Sequence, residues 1–327
     1  MRDKLLPRAC RSHGGRAGRT VPLDCDGYRH QDAPESHADR IASSFVIPGR
    51  PTPAPPEGFD RIDTARTRAW VRPEARDWVE AAIARHGDLY SAARTQAGAE
   101  GGLEGRAPVY RVTADAAQAS VPGGSDGSPT RVIRHYVRGG AVASLLGDRY
   151  LRWGMWRPMA ETVASERLRT SGLPTPRVLA AAVYFSGLVY RGDLVTEYVA
   201  TCGDLAELLF QTRDSVEPED RAAALRAVGA TVRKMAELGL RHPDVNVKNF
   251  LVETRTEPVR VHLLDLDRCR FGSIPLGRPV KRMASRLTAS LRKWEKTSGR
   301  PLSAEEWEAL REGLREGAKA WVHSRSG

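Results

Sequence analysis

Lysine is missing from Leu5 to Arg233, a span in which every side-chain cation other than histidine is arginine. Cysteine is scarce too: Cys10, Cys25, Cys202 and Cys269 are scattered, with no C-x-x-C pair. This spacing argues against a zinc site or a disulfide framework and for a reducing compartment. No apolar run approaches the roughly 18 residues of a transmembrane helix. The stretch from Met1 to Gly15 has basic residues but no apolar run of roughly 7–15 residues, so no secretory signal is expected there and a cytoplasmic setting is. A basic sheet interleaved with aromatics is also lacking, and nucleic acid is not an expected partner.

What is present suits a folded enzyme-sized chain. At 327 residues and 41% apolar content it can bury a substantial core, as one two-lobed domain or two small domains with a tail. The net charge of +11 points to an anionic partner without saying whether it is nucleotide, acidic lipid or something else. Residues 1–57 are rich in Arg, Gly, Pro and His and cannot bury enough apolar surface to offset their ordering entropy, so a disordered tail is expected. From Thr64 to Gln96 the spacing of Trp70, Val71, Trp78, Val79, Ala82 and Ile83 predicts helices, with Pro73 near a start. Gly101 to Val112 reads as a glycine-containing turn leading into a strand, with Gly105 and Arg106 as candidate phosphate-covering positions. Strands are expected at Thr130 to Tyr136, Val178 to Tyr184 and Leu188 to Val199, the last with a bend at Tyr190 to Asp193. A helix ending at Gly172 and a strongly amphipathic one from Arg221 to Leu238 complete the outline.

The chemistry concentrates in Arg241 to Leu251, which reads H-x-D-x-N-x-x-N, and in the D-x-D of Asp265 and Asp267. Phe250-Leu251-Val252 and Val261 to Leu264 flank a turn from Glu253 to Pro258, which predicts a hairpin holding Asp244, Asn249 and Asp265 at one end. Phosphoryl transfer from ATP on a protein-kinase-like scaffold needs these residue types in this order. One carboxylate holds the acceptor hydroxyl, while an amide and a second carboxylate hold the metal. Magnesium accepts a site with few protein oxygens when ATP and water supply the rest. Such a scaffold places a lysine on the strand at Thr130 to Tyr136, and with none available Arg134 is the substitute. Glu161 or Glu166 would be its acidic partner, and their spacing lets at most one face the site. The Glu197 carbonyl and Val199 amide are the expected contacts to adenine.

Together these residues carry a resemblance. Ile133-Arg134-His135-Tyr136-Val137-Arg138-Gly139-Gly140, Leu146 to Leu151, Gly172 to Pro176 and the two site segments are similar to the 3-deoxy-D-manno-octulosonic acid (Kdo) kinases and related lipopolysaccharide core kinases, a bacterial branch of the protein-kinase-like fold. The resemblance covers roughly Gly105 to Gly272. It implies an α+β, two-lobed fold, with a small β-rich N-lobe to residue 199 after extra helices from 58, and a mainly helical C-lobe from 200 to 327. It further implies ATP- and Mg2+-dependent phosphorylation of a sugar hydroxyl, typically on Kdo attached to lipid A, at the cytoplasmic face of the inner membrane. Carried onto this chain, Asp244 orients or deprotonates the hydroxyl, with His242 and Asn246 beside it as catalytic candidates. Asn249, Asp265 and Asp267 are the metal candidates, and Glu161 is favoured over Glu166 as the partner of Arg134. The chain departs from the pattern at Ala107-Pro108, where a second glycine is usual, and at Leu266, where an aromatic is.

Two alternatives share these residues: an aminoglycoside- or choline-type phosphotransferase, which would need an acidic acceptor pocket, and a catalytically silent nucleotide-binding scaffold. Arg278 to Arg300 carries eight basic residues against Glu295 alone, with Val280, Met283, Leu287, Leu291 and Trp294 on one stripe. That helix either lies on an anionic membrane surface or buries its stripe in the core.

Overall fold

In the computed structural model, the described residues are 54–97, 102–103, 108–113, 130–137, 147–200, 203–212, 215–253, 256–272 and 276–316. The expected tail, the candidate positions Gly105 and Arg106, and Arg138 to Gly140 therefore lie outside the described residues, apart from the last few positions before residue 58.

The N-terminal part is a sheet whose order follows from burial. Strand β7 (Val178–Ser186) reads VLAAAVYFS and is buried on both faces over most of its length, as a continuous apolar run requires. It pairs on one side with β2 (Thr67–Val71), which pairs with β1 (Asp60–Asp63). On the other side it pairs with β8 (Val189–Glu197), then β5 (Thr130–His135), β4 (Val109–Thr113) and β3 (Gly102–Leu103). A short strand β6 (Tyr150–Leu151) joins β8, and all these pairings are antiparallel.

The helices α1 (Arg76–His86) and α2 (Leu89–Ala97) bring Val79, Leu89 and Ala93 to one face of this sheet. The helix α3 (Arg157–Thr170) brings Met159 to the other, against Tyr190 and Leu194. Two sequence expectations are corrected here. Trp70 and Val71 belong to strand β2 rather than to a helix, and Tyr190 to Asp193 run straight through β8 rather than bending. In both cases sheet pairing overrode a local pattern that a short window reads ambiguously.

The C-terminal part is largely helical. Asp204, in the two-residue strand β9 (Gly203–Asp204), accepts from the Glu207 amide at 2.8 Å and so caps the π-helical turn Glu207–Gln211. Helix α4 (Pro218–Glu237) starts with proline in its first turn and leads into β10 (Leu240–Arg241). The expected hairpin is formed by β11 (Phe250–Glu253) and β12 (Arg260–Leu263), with β9 on the outer side of β11. Strand β13 (Arg270–Phe271) pairs with β10. The basic helix α5 (Gly277–Ser298) buries Met283, Leu287 and Leu291 in the core of this part, with Val280 and Trp294 packed against it. Its apolar stripe is thus spent on packing and does not face a membrane.

Helix α6 (Ala304–Glu316) lies directly on α4. A Cβ on Gly313 would stand 2.0 Å from the Arg226 carbonyl oxygen, and one on Gly229 2.5 Å from that of Leu310, so glycine is what permits this approach. The architecture is mixed α+β, sheet first and helices after. No helix among the described residues is long and apolar enough to cross a membrane.

Candidate functional site

The loop between β10 and β11 is built by its own polar side chains. Asn249 donates from Nδ2 to the Asp244 carbonyl at 2.7 Å, and Asn246 donates to the same oxygen at 3.3 Å. Asn246 Oδ1 also accepts from the Lys248 amide at 3.0 Å, capping a turn of 3-10 helix. His242 is only 2% exposed. Its Nδ1 accepts from the Asp244 amide at 3.2 Å and its Nε2 stands 3.3 Å from the Leu264 carbonyl, which fixes Nε2 as the protonated nitrogen. Burial lowers its pKa and keeps the ring neutral.

His242 and Asn246, taken from sequence as catalytic candidates, both hydrogen-bond within the loop and help to hold it. Asp244 is different. Its residue is exposed and its carboxylate accepts no hydrogen bond from a described residue.

Across from the loop, β5 and α3 supply an arginine–carboxylate network. Arg134 donates from Nη1 to Asp265 Oδ1 at 2.9 Å and from Nη2 to Glu161 Oε2 and to the Tyr136 hydroxyl, the latter at 3.2 Å. Tyr136 also donates to Glu161, which is 6% exposed. Burial works against the Arg134 charge, but Glu161, Tyr136 and Asp265 outweigh it and hold the guanidinium firmly protonated. Glu166 instead pairs with Arg72 at 2.7 Å, so of the two glutamates one faces Arg134 and the other does not.

Asp265 has φ 60°, the one positive value among described non-glycine residues, a conformation costing roughly 1–3 kcal/mol. The Leu264 amide bonds to the Asn249 carbonyl at 2.9 Å, which ties the end of β12 to the loop. Asp244, Asn249 and Asp265 are in this way joined through a few hydrogen bonds.

Arg134, Glu161 and Asp265 line a slot of about 170 Å3 whose other walls include Val109, Val132, Leu194 and Leu263. An apolar slot with charges at one end suits a flat base carrying an anionic tail. Thr196 lines it, whereas Glu197 and Val199 do not; Glu197 pairs with Arg177 at 2.8 Å.

Among the described residues Asn249 Oδ1 and Asp265 Oδ2 take no hydrogen bond, and these are the oxygens that would hold a divalent cation. No group of three His, Cys, Asp or Glu among the described residues could hold a metal alone. The residues fit an ion that takes its remaining ligands from phosphate and water, as Mg2+ does. Asp267, the third metal candidate, is engaged by Arg157 at 2.9 Å and borders a different, larger cavity. Burial, then the nearby Glu161 and Asp265, push its carboxyl up to about 6.

Sequence reasoning passed over Tyr136, Arg157 and the pair His135–Asp193. His135 Nδ1 meets the fully buried Asp193 at 2.5 Å, and Nε2 meets Asp148 at 3.1 Å. An aspartate beside the apolar run Leu194-Val195 of β8 was the available signal.

Comparison with known proteins gives one family: residues 121–313 match the one described as "Lipopolysaccharide kinase (Kdo/WaaP) family". A protein described as 3-deoxy-D-manno-octulosonic acid kinase from Photobacterium profundum is 37% identical over 139 residues, covering 42% of this chain and 55% of its own length. One of the same description from Actinobacillus succinogenes is 36% identical over 140 residues, covering 42% and 56%. The chain spans about half the length of the curated relatives it matches. A solved structure titled "WaaP in complex with acyl carrier protein" aligns over 76% of this chain and 97% of its own, at 21% identity and a TM-score of 0.42. The fold described above stands without it.

Proposed function

Because the chain belongs to the lipopolysaccharide kinase (Kdo/WaaP) family, we propose that it transfers the γ-phosphoryl group of ATP to a hydroxyl of an anionic, lipid-linked sugar, most specifically Kdo of the lipopolysaccharide inner core. The observation that carries this reading is that the loop bearing Asp244, whose exposed carboxylate accepts no hydrogen bond from a described residue, is tied through Asn249 to the end of β12, where Asp265 and the Arg134–Glu161 pair line one slot. On this reading the parts before and after Val199 act as the two lobes of a protein-kinase-like enzyme, with the nucleotide between them.

The apolar walls hold the base and exclude water from it. Arg134, fixed on its far side by Glu161, offers a planar cation to the phosphates. A divalent ion, held by Asn249 and Asp265, would neutralise phosphate charge as it develops. Asp244 orients the acceptor hydroxyl and takes its proton as oxygen bonds to phosphorus and the bridging oxygen of ADP leaves. His242 and Asn246 keep that carboxylate in place, their hydrogen bonds being made to its own backbone. A cationic acceptor of the aminoglycoside or choline type is disfavoured, since six arginines and a single acid, Asp267, border the cavity next to His242 and Pro243.

Membrane contact belongs to this reading, but α5 does not supply it. What supports it is that Leu151, Trp153 and Leu188, the large exposed apolar side chains among the described residues, gather where β6 meets the β7–β8 turn, beside the exposed Arg149 and Arg152.

The test is transfer from labelled ATP to a panel of Kdo-lipid A, heptosylated core, aminoglycosides and protein, with mass spectrometry of the product. Kdo-lipid A should be phosphorylated, and Asp244→Ala should slow turnover about 10²–10⁴-fold with ATP binding retained. Transfer to aminoglycoside alone, or full turnover by the variant, refutes the reading.

A further inference from the structure

Helix α3 carries two charged side chains one turn apart, Arg157 at its start and Glu161, a spacing that sets both on the same face. Glu161 engages Arg134, while Arg157 donates from Nη1 to Asp267 Oδ2 at 2.9 Å. Arg134 also donates to Asp265 Oδ1 at 2.9 Å, and Asp265 and Asp267 belong to one loop. Arg134, Asp265, Asp267, Arg157 and Glu161 therefore close a ring that runs from β5 through the D-x-D and back along α3.

One member of that ring is strained. A non-glycine residue keeps a positive φ, as Asp265 does, only where its surroundings hold the backbone on both sides. Ahead of it, the Leu264 amide is bonded to the Asn249 carbonyl at 2.9 Å. After it, Leu266 is buried, the Cys269 amide closes a turn onto the Leu266 carbonyl at 3.1 Å, and the Asp267 side chain, 5% exposed, is held by Arg157. Arg157 is fixed in turn. Its amide donates to the Tyr190 hydroxyl at 3.1 Å, and its guanidinium lies over the Tyr150 ring, 4.5 Å from the centroid.

We propose that Arg157 is a positioning residue of the phosphotransfer site: through Asp267 it holds the strained Asp265 in place, and Asp267 is a tether for that carboxylate rather than a ligand of the ion. The inference rests on the phosphotransfer reading above and adds a second role for α3, which steadies the phosphate cation with one side chain and the metal-holding loop with another. Arg157 makes one hydrogen bond to one carboxylate, so an ammonium can take its place here, as it cannot at Arg134.

The experiment compares the full chain with Arg157→Ala, Arg157→Lys, Asp267→Asn and the double variant Arg157→Ala with Asp267→Asn. Without nucleotide, amide hydrogen exchange over Leu264 to Cys269 should be several-fold faster in Arg157→Ala, because local opening there loses a restraint. In titration calorimetry with the β,γ-methylene analogue of ATP, Mg2+-dependent affinity should fall about 10–100-fold, as when the support of a metal-holding side chain is removed, while affinity in EDTA stays within about 2-fold. Arg157→Lys should recover most of that loss. Asp267→Asn, which keeps the side-chain volume and carries the same expectation if Arg157→Ala does not fold, should reproduce it, and the double variant should be no weaker than either single one, since the pair acts as a unit. Unchanged exchange, equal losses with and without Mg2+, a lysine variant as weak as the alanine one, or additive losses in the double variant would each overturn the inference. Transfer assays on the same samples separate the two claims. Mg2+-dependent binding that needs Arg157 in a chain that phosphorylates no acceptor overturns the kinase reading, whereas transfer by a chain whose Mg2+-dependent binding ignores Arg157 overturns the tether.

Discussion

Replacing Arg134 by lysine restores the residue type that a protein-kinase-like strand normally carries, yet the surroundings say it should harm this protein. The guanidinium divides its nitrogens between Asp265 and the buried Glu161, with Tyr136 bonded to the second nitrogen. An ammonium on an unbranched stem is a single point of charge and cannot span both carboxylates in this geometry. One charge-assisted hydrogen bond is therefore lost, a cost of about 1.5–3 kcal/mol. The side chain of Asp265 is 37% exposed, so water repairs that end and the lower figure applies if the shorter ammonium stays with Glu161. With Arg134→Ala, Glu161 is left buried beside an uncharged neighbour, and about 3–5 kcal/mol is expected. Urea unfolding of both variants reads these values, and a cycle with Glu161→Gln isolates the pair, whose coupling should exceed about 1 kcal/mol. A lysine variant as stable as the parent, or a coupling under about 0.5 kcal/mol, would refute the argument that the fork itself is required.

Asp265→Ala should abolish Mg2+-dependent ATP binding while leaving the hairpin folded; unchanged nucleotide titrations with and without Mg2+ would remove Asp265 from the metal site. Burial disfavours a charged His135, but Asp193 and Asp148 overcome it and raise its pKa. The sign is that of a cation gaining partners: the stabilisation is complete below the unfolded value of about 6.5 and is lost as pH rises through the higher folded value. Urea midpoints should thus fall from mildly acidic to alkaline pH, and His135→Gln should flatten that slope; an unaltered slope contradicts it. Trp153→Ala with Leu188→Ala should reduce sedimentation with anionic vesicles several-fold without lowering the urea midpoint, and equal sedimentation would end the case for that edge as the membrane contact.

The hairpin, the loop ahead of it and the long helices were legible because periodicity and turn chemistry act over a few residues. Phe250 to Glu253 and Arg260 to Leu263 pair as their alternation and intervening turn suggest. The partnership of Arg134 with Glu161 rests, at the level of sequence, on resemblance, since nothing local to either residue names the other. Trp70 and Val71 read as helix because their spacing to Trp78 and Val79 imitates one, while the strand they occupy is defined by pairing with Ala180 and Ala181 far along the chain. Burial was equally illegible: His242 and Asn246 have the residue types of catalysts, and only the structure shows the hydrogen bonds through which they help to hold the loop. The six arginines of the large cavity arrive from β10, β13 and α5 and the turn before β13, so the excess in Arg278 to Arg300 was visible but their grouping was not.

The contacts of Arg134 also set an order of assembly. Glu161 lies 27 positions after it and Asp265 lies 131 positions after it. A chain growing from its amino end can settle the first contact once β7 and β8 have emerged, since α3 packs on both and β5 pairs with β8, and so before the second partner has been synthesised. The arginine is consequently aimed by its near neighbour first, and the docking of the hairpin onto a prepositioned cation is a late, long-range event of the kind that slows folding.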